Sequence, residues 1–295
     1  MMAGLSTVNF SEDTYKEFNG FYGAMSTYGS FSYLKYGPLR LFSQIAQDSD
    51  LKVGKVIWVA GHSGPETAED SRTHFGIFAP GVTQLFPEGQ IINLHPWEHN
   101  EVAPCLAAAL STDVALIVLH LTRPPVTIPD RQALGIASHM DAARGAYIIK
   151  DYDHNVDKKG VVIIRGTSST NSLVEILPRL TEEGPNVKIV AAVSWELFQR
   201  QLEAYQYSVI SVQEWQDAMV ITNGALWLMH KWIANRIVEE YSLSPDFDNR
   251  WRTGGSLEQI IKESKLDPHS VWDGIMHFTN DREKRLTRLR SEIPT

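Results

Sequence analysis

The chain has 295 residues and a formal net charge of −8, and it is 43% hydrophobic and 21% charged. This composition is ordinary for a globular protein, and the length is enough for one large or two ordinary domains. The acidic balance argues against nucleic acid or an anionic membrane as the main partner, because no basic surplus is available to meet phosphates. A small phosphorylated substrate is compatible with this charge, since it needs only a few local cations.

The single cysteine, Cys105, rules out an internal disulfide bond and a cysteine-rich zinc site. Residues 1–15 lack the basic flank and apolar core of a signal peptide. No apolar run reaches the roughly 20 residues needed to cross a bilayer. We therefore expect a cytoplasmic protein.

Short apolar runs bounded by polar or turn residues are typical of buried strands. They predict strands at 55–60, 90–94, 114–121, 160–165, 187–193 and 218–222. Apolar residues at helical spacing predict helices at 13–27, 39–47, 98–109, 172–183 and 195–204. Strands that alternate with helices predict an α/β protein with mainly parallel sheets.

The domain boundary is predicted at Pro124 and Pro125, which precede a polar stretch. Two X-Pro steps close together continue neither a helix nor a central strand, so they indicate a linker. We place a first domain at 1–126, a linker at 127–150 and a second domain at 151–295. The expected fold is two consecutive three-layer α/β/α units.

The most informative polar segment follows the predicted strand at 55–60 and contains His62, Glu69, Asp70 and His74. Ligands of open α/β sheets bind beyond the carboxyl ends of the strands. Histidine transfers protons near neutral pH, and aspartate orients a hydroxyl or an imidazole. The segment therefore predicts a polar functional site, with a solvated loop as the alternative. Its spacing does not fit a compact metal motif such as His-x-x-x-His, so we expect no metal ligands in this chain.

The same segment resembles a motif of the transketolase family, T-H-D-S-I-G-L-G-E-D-G-P-T-H. Laid on residues 61–74 without a gap, the motif matches at His62, Glu69, Asp70, Thr73 and His74. Further family motifs follow in the same order, with P-A-D-x-N-E similar to 96–101 (PWEHNE), L-x-R-Q similar to 119–123 (LHLTR), and W-E-L-F-x-x-Q-x-x-x-Y-x-x-S-V similar to 195–209 (WELFQRQLEAYQYSV). The chain is thus similar to the C-terminal part of a transketolase, with part of the pyrimidine-binding domain followed by the C-terminal domain.

This resemblance implies the fold of thiamine-diphosphate enzymes and the transfer of a two-carbon ketol unit from a ketose phosphate to an aldose phosphate. His62 and His74 would bind substrate oxygens and assist proton transfer, and Asp70 would bind the hydroxyl next to the reacting carbon. Arg123 would bind the sugar phosphate, for which a planar guanidinium is well suited. A surface ion pair is the alternative role of Arg123.

The resemblance also implies two cofactor-binding residues, Phe42 and Glu12. Phe42 would stack on the aminopyrimidine ring, with a role in the core as the alternative. Glu12, next to a plausible N-cap at Ser11, would be the catalytic glutamate that contacts the pyrimidine N1′. Glu17 competes for that role, and a surface carboxylate is the alternative for both.

The chain departs from the family pattern in several places. Ser63 replaces the aspartate after the first histidine, and Ser71-Arg72 replaces Gly-Pro, which adds a cation beside the supposed substrate site. The Gly-Asp-Gly…Asn motif, which holds the diphosphate through Mg²⁺ or Ca²⁺, does not occur in this sequence. We therefore expect thiamine diphosphate to be shared with a partner, the N-terminal transketolase half, in a homo- or hetero-oligomer such as a dimer.

Three functions fit these observations. The first is a split transketolase-like subunit, active when the diphosphate-binding half completes it. The second is the β-type component of a 2-oxo acid dehydrogenase. The run at 195–198 (WELF) and the paired histidines favour a transketolase over this component. The third is a non-catalytic regulatory or scaffolding relative, which the changed residues around Asp70 and the missing motif would explain.

Overall fold

A computed structural model describes residues 1–61, 63–69, 71–252 and 254–292 of the chain. Its strands are β1 (Gly23–Tyr28), β2 (Val56–Gly61), β3 (Ile91–Leu94), β4 (Leu116–Leu121), β5 (Ala146–Lys150), β6 (Val161–Arg165), β7 (Lys188–Ala192) and β8 (Ala218–Thr222). Its α-helices are α1 (Met2–Leu5), α2 (Tyr36–Asp48), α3 (Val102–Leu110), α4 (Thr167–Glu182), α5 (Trp195–Gln199), α6 (Glu203–Val209), α7 (Val212–Gln216), α8 (Arg236–Glu240), α9 (Leu257–Glu263), α10 (Pro268–Asn280) and α11 (Arg282–Glu292). Short 3₁₀ helices span Gly29–Lys35, Pro65–Glu69, Arg72–His74, Ala79–Leu85, His99–Glu101, His139–Arg144 and Leu226–Trp232. Among the described helices, none is long and apolar enough to cross a membrane.

The first sheet has the strand order β1-β2-β4-β3, and its described strands are all parallel. Trp58 of β2 is fully buried and shares an apolar cluster with Phe42 of α2 and Leu116 of β4. The register pairs Tyr28 with Gly61, and Gly61 with Leu121. The carboxyl ends of β1, β2 and β4 therefore lie side by side.

The second sheet has the order β5-β7-β6-β8, in which β5 runs antiparallel to β7 and the other described pairs are parallel. Every residue of β6, β7 and β8 is buried. Strands covered on both faces read as continuous apolar runs, which is why the sequence identifies these three.

The two sheets share one apolar core, which includes Ile92 and Ile117 from the first sheet and Ile189 and Ile221 from the second. A backbone hydrogen bond joins the ends of two strands across the boundary, since the amide of His95 donates to the carbonyl of Val193 at 2.7 Å. The ends of β3 and β7 are therefore held next to each other.

The prediction of an α/β fold with mainly parallel sheets is confirmed, and each of the six predicted strands forms within a few residues of its expected bounds. The helix predicted at 13–27 is wrong, because that region holds a turn near 12–16 followed by β1. The helix predicted at 195–204 is divided into α5 and α6. Strand β5 lies inside the predicted linker and pairs with β7, so residues 146–150 belong to the second sheet.

Candidate functional site

The loop after β2 lies at the carboxyl edge of the first sheet, between the ends of β1 and β4. It contains the 3₁₀ helices Pro65–Glu69 and Arg72–His74. Because Tyr28, Gly61 and Leu121 are in register, the segments that follow these three strands start at the same edge. This is the position at which open parallel sheets bind ligands.

Thr67 ties the two ends of this loop together. Its Oγ1 lies 2.8 Å from the carbonyl oxygen of Gly64 and also contacts the carbonyl oxygen of His74. The amide of Gly76 donates to the same hydroxyl at 3.1 Å and to the Gly64 carbonyl at 3.2 Å. Gly64 has φ +98°, a conformation that favours glycine and allows this close return of the chain.

The His74 side chain is half-buried and stacks on Tyr28, the last residue of β1. Their ring centroids lie 4.9 Å apart, with 26° between the ring planes. Tyr28 in turn meets Phe31 edge to face at 6.3 Å. Aromatic stacking of this kind restricts the ring, so His74 is presented in a defined orientation at the edge of the sheet.

Arg123 is exposed and follows the end of β4 by two residues, at the same edge as His74. The structure therefore brings two of the predicted site residues to one side of the first sheet. His62 and Asp70 lie outside the residues that the structure describes, so their predicted roles stay predictions.

Glu12 and Phe42 are not part of this edge. Glu12 is exposed in the segment 9–19, which the Asn9 side chain ties to the carbonyl of Lys52 at 3.2 Å, just before β2 begins. The six residues of β2 separate that end of the sheet from the loop, a span of roughly 17 Å at ~3.3 Å per residue. Phe42 is 1% exposed and packs in the core of the first sheet, which is the alternative role expected for it.

Glu66, a buried carboxylate in the same loop, was missed by the sequence analysis. It is 2% exposed, and its Oε2 accepts a hydrogen bond from Ser168 Oγ at 2.8 Å. Its Oε1 accepts another from Asn223 Nδ2 at 3.0 Å. Burial raises the pKa of Glu66, and these hydrogen bonds partly offset that increase. Glu66 therefore attaches the loop to the second unit through its hydrogen bonds with Ser168 and Asn223, which are distant in the sequence.

Two further histidines also escaped the sequence analysis, the buried His120 and the half-buried His95. The rings of His95 and His120 lie parallel, 4.2 Å apart with 4° between their planes. Nε2 of His120 is 3.0 Å from Asn93 Oδ1, and its Nδ1 is 3.5 Å from Ser63 Oγ. Burial and, secondarily, the charge of Arg165 lower the pKa of His120 to about 3. Both imidazoles are therefore neutral near pH 7, since the pKa of His95 is also lowered, chiefly by burial.

The described residues do not by themselves fit thiamine diphosphate. Within them, no group of three or more His, Cys, Asp or Glu side chains is arranged to hold a metal ion. The ring of Phe42 is enclosed in the core, and Glu12 lies at the opposite end of the sheet. We therefore derive no catalytic step through this cofactor.

The comparisons with known proteins agree with the motifs. Residues 145–241 match the family model of the transketolase-like C-terminal domain. Over these residues, the chain is similar to the C-terminal domain of transketolases. A transketolase from Nostoc sp. is 31% identical over 192 residues, which cover 64% of this chain and 26% of that protein. The chloroplastic transketolase of Spinacia oleracea is 28% identical over 192 residues, covering 65% of this chain and 24% of that protein. The chain thus spans about a quarter of the length of these transketolases.

Solved structures show the same fold. The transketolase of Pichia stipitis in complex with sedoheptulose 7-phosphate superposes with a TM-score of 0.69 at 19% identity, over 88% of this chain and 34% of that one. A structure described as a split-gene transketolase, an inactive β4 tetramer, superposes with a TM-score of 0.57 at 18% identity. That superposition covers 95% of this chain and 80% of the other. At these identities, the likeness establishes a fold shared with transketolases.

Proposed function

We propose that this chain is the C-terminal subunit of a split transketolase-like enzyme. Together with a second polypeptide that binds the diphosphate, it transfers a two-carbon ketol unit from a ketose phosphate to an aldose phosphate. The observation that carries the proposal is the position of the family motif, whose loop carries His74 at the carboxyl edge of β1, β2 and β4, the edge at which Arg123 follows β4. The split-gene transketolase with the same fold over most of its length supports the division into two chains.

In this proposal, the residues at the carboxyl edge bind and orient the sugar substrate. His74, held by the Tyr28 ring, hydrogen-bonds a substrate oxygen and moves a proton at that atom, and His62 acts in the same way. Asp70 accepts a hydrogen bond from the hydroxyl next to the reacting carbon. The guanidinium of Arg123 pairs with the phosphate at the far end of the sugar.

The proposed cofactor is thiamine diphosphate, shared with the partner half, which would hold the diphosphate through Mg²⁺ or Ca²⁺. When bound, the thiazolium supplies the carbanion chemistry that amino-acid side chains lack. Because Glu12 and Phe42 lie away from the edge, docking of the partner would have to reposition them or supply other residues for the pyrimidine ring.

A surface for the partner is available beside the candidate site. Several large apolar side chains at the end of β1 and in the 3₁₀ helix that follows it are exposed, namely Tyr28, Phe31, Tyr33 and Leu34. Clusters of exposed apolar side chains mark interaction surfaces more often than single residues do. Strand β1 is also an edge strand in the described sheet, so its outer backbone groups face away from β2.

A non-catalytic regulatory or scaffolding subunit is the second candidate. The enclosed ring of Phe42 favours it, because a thiamine enzyme needs an accessible surface for the pyrimidine. Such a subunit would keep the surface for the partner without contributing to ketol transfer. The cytoplasmic location expected from the sequence stays a prediction in both cases.

The test combines the purified chain with a polypeptide that carries Gly-Asp-Gly…Asn, with a neighbouring open reading frame as the first choice. Ketol transfer is then compared for the wild type, His74→Ala and Asp70→Ala, with His154→Ala as the control because His154 is an exposed histidine of the second unit. We expect both site variants to lose at least ~100-fold in kcat/KM, the usual scale for a positioned acid–base group. Restored activity that is equal in all four proteins would contradict the site assignment.

A further inference from the structure

A cavity lies between the two sheets, apart from the loop that carries His74. It occupies about 200 Å³, and its walls include Asn93 and His95 after β3, Arg165 at the end of β6, and Ser194 and Glu196 beyond β7. The carboxyl ends of strands from both sheets thus line one cavity. An engineered cavity of ~150 Å³ holds a benzene molecule, so this one is large enough for a compact ligand of a few carbon atoms.

Arg165 is the unusual residue of this cavity. Its side chain is 6% exposed, and Nη1 donates a hydrogen bond to the carbonyl of Leu228 at 3.2 Å. The described part of the chain has two other buried arginines, and each has a carboxylate partner: Arg252 pairs with Asp248 at 2.6 Å and Arg285 with Asp217 at 2.6 Å. Arg165 has no carboxylate within 4.0 Å among the described residues.

A buried guanidinium without a counter-ion is costly to the fold, because its charge has left water and most of its five N–H donors need acceptors. Its pKa falls to about 10, mainly through burial, while the more distant charge of Glu196 acts in the opposite direction. The neighbouring imidazole of His95 is neutral near pH 7 and gives no competing charge. Arg165 therefore offers an anion in the cavity a cation that has no carboxylate within 4.0 Å among the described residues.

The part of the wall formed by Glu196 is suited to hydroxyl groups. The Glu196 carboxylate is held in place by Asn93, whose backbone amide and Nδ2 each donate to it at 3.2 Å. Ser194 Oγ adds a longer contact of 3.4 Å. A fixed carboxylate accepts hydrogen bonds from hydroxyl groups and repels a second anionic group.

We propose that this cavity binds a small hydroxylated anion, a three- or four-carbon hydroxy acid or phosphate ester. Its acidic group pairs with Arg165 and its hydroxyl groups donate to Glu196. The site does not depend on the proposed ketol transfer, because it lies between the sheets and none of its lining residues is a predicted site residue of the loop.

The test is isothermal titration calorimetry of the full chain with glycerate, glycerol phosphate and glycerol. We expect one of the two acids, or both, to bind at a single site and the neutral glycerol not to bind. The comparison of the two acids shows whether a carboxylate or a phosphate is preferred. The proposal would be overturned if glycerol bound as tightly as the acids. It would also be overturned if neither acid bound at ~10 mM, about the weakest useful affinity for a metabolite site.

Arg165→Met should lower the affinity for the acid by roughly ten- to a hundredfold, which is the scale of a charge-assisted hydrogen-bonded pair. The matched control is Arg200→Met, because Arg200 is an exposed arginine paired with Asp113 outside the cavity. If Arg165→Met does not fold, Arg165→Lys keeps the charge and loses the planar fork, so weaker binding is still expected. Unchanged affinity in whichever of these two variants folds would contradict a site built on Arg165.

Discussion

The imidazole of His74 stacks on the phenol ring of Tyr28, with centroids 4.9 Å apart and planes 26° apart. This contact joins the loop after β2 to the end of the edge strand β1. Tyr28 is the residue in register with Gly61, where the loop departs from the sheet. The orientation of His74 therefore depends on a strand that the sequence analysis did not identify.

Removing the Tyr28 ring should weaken catalysis without removing a proton-transfer group. In the reconstituted enzyme, we expect Tyr28→Ala to lower kcat/KM by about tenfold, since a stacked aromatic pair contributes roughly 0.5–1.5 kcal/mol. The control is Tyr207→Ala, because Tyr207 is an exposed tyrosine of the second unit. Steady-state kinetics decide the matter, and a Tyr28 variant as active as the control would show that the stack does not position His74.

Arg131, in the predicted linker, forms ion pairs with two carboxylates of the first unit. Arg131 Nη2 lies 2.9 Å from Glu98 Oε1 and 2.8 Å from Glu101 Oε1, and both carboxylates are buried. Nη1 donates to Tyr147 Oη at 3.2 Å. Removing the guanidinium would leave two buried carboxylates without their cation, the case in which breaking a buried pair costs most.

Arg131→Met should therefore lower the free energy of unfolding by about 3–5 kcal/mol. The control is Arg236→Met, whose exposed pair with Glu240 at 3.8 Å should contribute within ~0.5 kcal/mol. Urea unfolding followed by fluorescence measures both values. Similar stabilities of the two variants would mean that the Arg131 network does not stabilise the fold.

The buried His120 should make the protein sensitive to acid. Its pKa is about 3 in the folded chain and near 6.5 in the unfolded chain, so the unfolded state binds one more proton between these values. The free energy of unfolding should therefore fall as the pH drops below 6.5, by up to ~1.4 kcal/mol per pH unit for this group. Glu66 and Glu101 act in the opposite sense above about pH 4.5, because their raised pKa values let the folded state keep protons that the unfolded state has released.

A comparison of slopes isolates the contribution of His120. Urea unfolding at pH 7 and pH 5.5 should show a smaller loss of stability for His120→Gln than for the wild type, whatever the absolute stability of the variant. His154→Gln should keep the wild-type slope, because His154 is exposed. A wild-type slope in His120→Gln would contradict the burial of an uncharged imidazole.

Arg123 should discriminate phosphorylated from unphosphorylated acceptors. In the reconstituted enzyme, we expect Arg123→Met to raise KM for an aldose phosphate by roughly tenfold or more, the scale of a charge-assisted pair. The KM for an unphosphorylated aldose should change by less than about twofold. In the control variant, Arg200→Met, the KM values for both acceptors should also change by less than about twofold. Equal increases for both acceptors would remove Arg123 from the phosphate site.

Much of the fold could be predicted because parallel strands that are covered on both faces are apolar throughout. Strands β6, β7 and β8 are fully buried and appear in the sequence as uninterrupted apolar runs. The edge strands β1 and β5 were not identified. Strand β1 reads GAMSTY and β5 lies between a polar stretch and a turn, so their identity depends on pairing with β2 and β7.

The candidate site could be predicted in part for a similar reason. His74 and Arg123 follow strands that are evident in the sequence, so their common edge can be inferred from the parallel arrangement. Glu66 could not be inferred, because Ser168 and Asn223 are brought to it by the packing of the second sheet on the first. Arg165 is equally hidden, since an arginine at the end of a buried strand shows neither its missing counter-ion nor the cavity beside it.

The central claim is that this chain supplies half of a ketol-transferring site. The most direct test keeps the chain at a fixed concentration and titrates it with the Gly-Asp-Gly…Asn polypeptide in the presence of thiamine diphosphate and Mg²⁺, while the rate of ketol transfer is measured. We predict no transfer from either chain alone and a rate that rises to saturation at a simple stoichiometric ratio. Transfer by the partner alone that does not change when this chain is added would contradict the claim.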